Sequence, residues 1–279
     1  MSRGLSSNRN RWMDPAGPVP PWLPIFMVLL LLLSGCGGGT DKERLTVFAA
    51  SSLTDVLPVL KAEFEQASPD SDLQLVFGGS QILRLQIEQG AAADLFISAH
   101  PEHVQSLIDQ GLLVDPRPLV ENPLVVMVAP EQSEKITRFD QLVSVDRLVI
   151  GDLAVPLGFY TEEVLRNSDA VMGSGFADQL RSSVVSRESN SRLVRSKVLM
   201  GEADAAFVYG SDARNTSAGV VPLPTELSTK ARYVLAIRKP GETDLAQQFR
   251  DFLGSDRAAE IFRQHEFPIL EGMGGSREK

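Results

Sequence analysis

The sequence predicts an α/β protein of two lobes with a ligand cleft between them. Three observations carry this. From Leu45 onward, short apolar runs alternate with amphipathic helical patterns, the signature of β-α units. The rhythm breaks near residues 121–130 and returns near 235–240, so the chain leaves one lobe once and comes back once. The composition suits a folded chain: of 279 residues, 43% are hydrophobic and 23% charged, which excludes disordered and collagen-like classes.

The elements follow in order. Arg3, Arg9 and Arg11 precede an apolar run at residues 25–33, and Ser34-Gly35 stand directly before Cys36. A basic start, a short apolar stretch and small residues before a cut site form an export signal. The run is too short to span a bilayer comfortably. Small residues ahead of the lone cysteine resemble a bacterial lipobox. Residues 1–35 are therefore expected to be a lipoprotein signal peptide, with Cys36 lipidated and residues 36–43 a tether. A retained, uncleaved anchor is the alternative.

Residues 45–50 read as a buried strand and 53–66 as an amphipathic helix, with Pro58 inside it at the cost of a backbone bond. A strand at 73–77 leads to a helix at 80–88 closed by Gly90. A strand at 94–98 leads to a helix at 103–110 ended by Gly111. Strict alternation predicts parallel strands with right-handed crossovers. Residues 123–129, PLVVMVA, form a long apolar strand, and 130–147 lose regularity. A strand at 147–151 follows, then helices at 159–167 and 190–200 and strands at 204–209 and 233–237. Helices at 245–253 and 256–265 close the chain.

Composition excludes several functions. The net charge is −9; without residues 1–35, which hold three Arg and one Asp, it is −11. Nucleic-acid binding needs clustered Lys and Arg. One cysteine builds neither a disulfide framework nor a CxxC zinc site. The nucleophile elbow is absent, since Gly78-Gly79-Ser80-Gln81-Ile82 lacks the second Gly. No lysine precedes Ser or Thr, so there is no P-loop. His100 and His103 are expected in a solvated loop, and His265 at a helix C-terminus, where its charge suits the dipole.

The candidate site residues lie at strand-to-helix turns. Ser52 follows the first strand, where its hydroxyl is placed to cap Asp55. Ser80 follows Gly78-Gly79 and opens the second helix. Both turns belong to one sheet edge, and each offers a hydroxyl, free backbone N–H groups and a positive helix end. That combination binds anions without a cationic side chain. Simple N-capping is the plainer reading of each serine alone. Val155-Pro156-Leu157-Gly158 and Glu188-Ser189-Asn190-Ser191 open two further helices. Tyr209 stands at a strand's carboxyl end, as a phenolic donor or a half-buried strand aromatic.

Several stretches together resemble the molybdate-binding proteins of ABC transporters. They are residues 46–54 (TVFAASSLT), 90–99 (GAAADLFISA), 155–158 (VPLG), 208–213 (VYGSDA) and 258–262 (AAEIF) with Phe267 after it. They come in family order and span roughly residues 44–270. The resemblance implies the two-lobed periplasmic binding protein fold (type II). Lobe 1 is then residues 44–122 plus 239–270, and lobe 2 residues 123–238. It implies a tetrahedral oxyanion, molybdate and with it tungstate, held by the hydroxyls of Ser52, Ser80 and Tyr209 and by backbone N–H groups at Leu157 and Ser191. Leu157 replaces a customary alanine, so its side chain must point away from the ligand. Ser191 replaces a customary apolar residue. The implied protein is an exported, lipid-anchored monomer at the periplasm or outer cell surface. It is no enzyme, uses no cofactor and partners an ABC permease. Another oxyanion, sulfate or phosphate, is the alternative ligand. An anchored hydrolase using Ser80 or Ser52 is the alternative class, and it lacks a histidine in a segment facing those turns.

Overall fold

The computed structural model describes residues 42–239 and 243–270. Nine strands form one mixed sheet in the order β2-β1-β3-β9-β4-β7-β5-β6, with β8 beside β4. β1 (Glu43–Ala50) lies between parallel neighbours β2 (Ser71–Gly78) and β3 (Leu95–Ser98). Its inner stretch is buried on both faces, which is why it reads as a continuous apolar run. β5 (Leu148–Gly151) is likewise parallel to β6 (Val184–Glu188) and β7 (Ala205–Tyr209).

Two long strands join these groups. β4 (Leu113–Val128) runs antiparallel to β9 (Lys230–Arg238) over its first part. Its second part runs antiparallel to β7 and β8 (Gly219–Pro222). The expectation of parallel strands is thus met in the outer groups and corrected at β4, β8 and β9. β4 also begins ten residues before the expected start at 123. Pro116, Pro118 and Pro123 hide it in the sequence; Pro116 falls within a register shift at 114/117, a second shift follows at 118/121, and Pro118 and Pro123 keep partners on β9. Residues 234–237 of β9 ladder onto β3, so this strand contacts both groups.

The helices are α1 (Leu57–Ala67), α2 (Ser80–Glu88), α3 (Pro101–Asp109), α4 (Pro156–Met172), α5 (Phe176–Ser182), α6 (Ser191–Leu199), α7 (Gly210–Ala213), α8 (Asp244–Leu253) and α9 (Asp256–Gln264). A 3-10 turn, Ser51–Leu53, precedes α1, which starts later than the expected residue 53. Pro58 therefore sits in the first helical turn, where its missing N–H removes no helix bond. Pro156 does the same for α4, extending that helix back from the expected residue 159. α5 and the edge strand β6 were not expected, because VVSRE alternates too weakly to read as a strand. One apolar cluster runs through both sheet groups, and a smaller one around Phe96, Leu83 and Leu107 covers the outer face of β1 and β3. No helix among the described residues is long and apolar enough to cross a membrane. Cys36, the expected signal peptide and most of the expected tether lie outside the described residues.

Candidate functional site

Turns from both sheet groups meet around one small cavity. Ser52, Ser80, Leu157, Ser191 and Tyr209 all line it, and each is at most 3% exposed. Local sequence explains each placement. Ser51 and Ser52 form the 3-10 turn at the end of β1. Gly79 caps α2 and Ser80 is its first residue. Val155 and Pro156 lead into α4, whose ladder begins with the Phe159 N–H on the Val155 carbonyl at 3.0 Å. The N–H groups of its first turn, Leu157's among them, have no intrahelical partner. Asn190 caps α6, its side chain accepting from the Leu193 N–H at 3.0 Å, and Ser191 follows as first helical residue. Tyr209 closes β7.

Close backbone approach shapes the cavity. A Cβ on Gly79 would stand 2.4 Å from the Ser189 carbonyl oxygen. A Cβ on Gly158 would stand 1.9 Å from the Asp152 carbonyl oxygen. Glycine alone fits both places. The first contact brings turns from the two sheet groups together, and other bonds cross there. Gln81 Nε2 donates to the Ser189 carbonyl at 2.8 Å. Arg192 donates through Nε to the Ser51 carbonyl at 3.2 Å and through Nη2 to Asp55 at 2.8 Å. Ser51 and Ser191 share a hydrogen bond at 3.2 Å. The cavity is closed in this structure.

Its lining is neutral and rich in donors. The Tyr209 hydroxyl is buried with no partner among the described residues, a costly state unless a ligand accepts from it. Burial holds its phenol well above the ordinary range, so it stays protonated. The Ser80 hydroxyl accepts from the Ala99 N–H at 3.2 Å. The Ser52 hydroxyl lies 2.6 Å from that of Tyr233, which also receives Asn122 Nδ2 at 3.3 Å. The nearby carboxylate of Asp212 is buried behind Tyr209. Burial pushes its carboxyl up, opposed by the Arg192 guanidinium 3.2 Å away. The Leu157 side chain is fully buried within the apolar core, as its size requires.

Some expectations are corrected. Ser52 does not cap Asp55; its hydroxyl engages Tyr233 instead. Ser80 is not a cap either, because Gly79 occupies that position. His100 and His103 are not in a solvated loop. His100 caps α3, accepting from the Glu102 N–H at 3.3 Å, and its ring centroid lies 4.6 Å from that of Phe159. His103 lies within α3 and is half-buried, and burial, reinforced by Arg84, pushes it down to about 4. Among the described residues no group of three His, Cys, Asp or Glu stands together to hold a metal. His265 sits at the end of α9 as expected, with Nδ1 2.8 Å from the Ile261 carbonyl. Sequence reasoning did not single out Tyr233, Asn122, Ser51 or Gln81 as site residues. Tyr233 and Asn122 reach the site through the antiparallel pairing of β9 with β4, which no local motif announces.

Comparison with known proteins places this geometry. The family model for bacterial extracellular solute-binding proteins matches residues 45–267. The molybdate-binding protein ModA of Escherichia coli is 32% identical over 262 residues, covering 89% of this chain and 98% of that protein. A solved substrate-binding domain assigned to a molybdenum ABC transporter of Clostridium difficile is 30% identical, with a TM-score of 0.64 over 82% of this chain and 99% of that one. The periplasmic molybdate-binding protein of Azotobacter vinelandii shares the fold at 19% identity, with a TM-score of 0.72 over 81% of this chain and all of that one. The described residues thus adopt the periplasmic binding protein fold, and the chain belongs to the bacterial extracellular solute-binding proteins, in their ModA-like molybdate-binding group.

Proposed function

We propose that this protein captures molybdate, and tungstate alongside it, and delivers the anion to an ABC permease. One observation carries the reading: a closed, uncharged cavity lined by hydroxyls and helix N-termini, with the buried Tyr209 hydroxyl lacking a partner. In the proposed shell Ser52, Ser80 and Tyr209 donate hydroxyl hydrogens, and Leu157 and Ser191 donate backbone N–H groups. Such a shell satisfies a dianion whose oxygens are all acceptors. Fully neutral donors also avoid burying an unpaired cation when the site is empty.

The same chemistry orders the ligands. Monohydrogen phosphate carries a proton that needs an acceptor, and this shell holds no carboxylate to supply one. Sulfate has no such proton but is smaller, so donors fixed around molybdate reach it badly. Tungstate has nearly molybdate's size. Competition titration tests the order: molybdate and tungstate bind tightly, sulfate weakly and phosphate least. Sulfate displacing molybdate at comparable concentration would transfer the assignment to sulfate.

The capture role is not enzymatic: incubation is expected to return the ligand unchanged, and the serines have no base bonded to them among the described residues. Export and anchoring through lipidated Cys36 complete the proposal. It draws on the Leu33-Ser34-Gly35-Cys36 stretch and on the extracellular character of the family. Cys36→Ala is expected to release the protein from membranes or leave it unprocessed. Unchanged fractionation and mature mass in that variant would remove the anchor.

A further inference from the structure

We propose that Tyr233, held by Asn122, is a positioning residue: by donating to the Ser52 oxygen it turns the Ser52 hydrogen into the cavity, where a ligand oxygen can accept it. The inference rests on the oxyanion-capture reading above and adds a device that this reading does not contain.

The direction of every bond follows from donors that have no choice. The backbone N–H of Ser211 can only donate, and it lies 3.3 Å from one side-chain atom of Asn122. That atom must therefore be the amide oxygen. The amide nitrogen then faces the other way, with its two hydrogens on Ser211 Oγ at 2.7 Å and on the Tyr233 hydroxyl at 3.3 Å. The Tyr233 oxygen is thus an acceptor toward Asn122. Its single hydrogen is left for Ser52 Oγ, 2.6 Å away. Ser52 accepts this bond, so its own hydrogen is free, and the cavity that Ser52 lines is where it can find an acceptor.

The network is rigid. Asn122 and Tyr233 are fully buried and Ser211 and Ser52 nearly so. Burial pushes the Tyr233 phenol far above its ordinary range, which keeps the hydrogen on its oxygen. Asn122 stands on β4 and Tyr233 on β9, the two strands that join the sheet groups. Ser52 belongs to one group and Ser211, on α7, to the other. Ser80 is constrained in the same sense: the Ala99 N–H can only donate, so Ser80 Oγ accepts it and has its own hydrogen to spare. Both serines therefore face a ligand as donors. Each oxygen keeps a second lone pair, but turning it to a ligand's proton would leave the serine's own hydrogen without an acceptor, so a proton-bearing oxyanion is the poorer partner.

Sulfate and monohydrogen phosphate are the matched probes. They are similar in size and both dianionic at pH about 8, and they differ by the proton. The experiment is displacement of molybdate by sodium sulfate and by sodium phosphate, from the wild type and from Tyr233→Phe, Ser52→Ala and the double variant. In Tyr233→Phe nothing holds the Ser52 hydrogen toward the cavity. Molybdate affinity is expected to fall several-fold. In the Ser52→Ala background Tyr233→Phe should leave molybdate affinity unchanged, because its effect passes through Ser52. Asn122→Asp is a second variant. A carboxylate there accepts the Tyr233 hydrogen, which makes the Tyr233 oxygen an acceptor for the Ser52 hydrogen and turns a Ser52 lone pair to the cavity, so the sulfate-to-phosphate affinity ratio should shrink by about tenfold, the worth of one recovered hydrogen bond. If Tyr233→Phe lowers molybdate affinity as much in the Ser52→Ala background as in the wild type, or Asn122→Asp keeps the wild-type ratio, the residues are structural and the inference is overturned. Failure of the underlying reading shows separately, as a wild-type protein that does not bind molybdate.

Discussion

Removing a single hydroxyl from the cavity tests its chemistry most directly. Hydrogen bonds to a charged acceptor contribute roughly 1.5–3 kcal/mol. Ser80→Ala should therefore weaken molybdate binding by about tenfold to a hundredfold by isothermal titration. The Ser80 hydroxyl also accepts from the Ala99 N–H, so the variant strands one buried donor and should lose a little thermal stability as well. Wild-type affinity in Ser80→Ala would remove that residue from the shell. Gly79→Ala makes a different prediction. Its new Cβ would collide with the Ser189 carbonyl that the closed form brings against it. Binding should be severely weakened, while the ligand-free protein, free to stay open, keeps its melting temperature.

At the scale of elements, α3 carries a titration signature. His103 is pushed down to about 4 by burial, with Arg84 adding to it, and burial lowers His100 as well. A histidine with a lowered folded value binds fewer protons than it does unfolded. Its stabilising effect is complete above the unfolded value of about 6.5 and is lost as pH falls toward 4. Stability should therefore decline between pH about 6.5 and 4, and His103→Gln should flatten that slope in chemical denaturation. An unchanged slope would place the acid sensitivity elsewhere.

The elements also show what was legible in the sequence. The parallel groups were readable because β1, β3, β5 and β7 are short apolar runs followed by turn residues, and buried parallel strands have that composition. The turns bearing Ser52, Ser80 and Tyr209 were readable for the same reason, each standing where a run ends, whereas Leu157 and Ser191 were reached through the family resemblance. β4 was half hidden, because three prolines interrupt its apolar pattern, although only Pro116 falls within a register shift and the other two stay in the ladder. Its pairing with β9 was unreadable, since an antiparallel contact across more than a hundred residues has no local pattern. Tyr233 and Asn122 were missed with it. The cap expected at Ser52 failed because a tertiary partner, Tyr233, outcompetes the local backbone for the hydroxyl.

Bonds between the two sheet groups of the described residues cross beside the cavity, and they predict how it opens. β4 and β9 run between the sheet groups, and their bulges supply the backbone freedom a hinge needs. Opening must break the contacts of Arg192 with Ser51 and Asp55 while leaving it beside Asp212, which is in its own half. Replacing Arg192 would confuse the two roles, because Asp212 would be left buried and uncompensated at a cost of several kcal/mol. Asp55 separates them. Its side chain is 56% exposed, so the pair contributes at most about 1 kcal/mol. Asp55→Asn should speed molybdate release by about twofold to fivefold in stopped-flow chase experiments, with the melting temperature nearly unchanged. The wild type should also release faster as ionic strength rises, and the variant should show less of that dependence, because the screened charge pair is gone. Release rates with the same salt response in both proteins would mean that Arg192 closes the cavity through Ser51 alone.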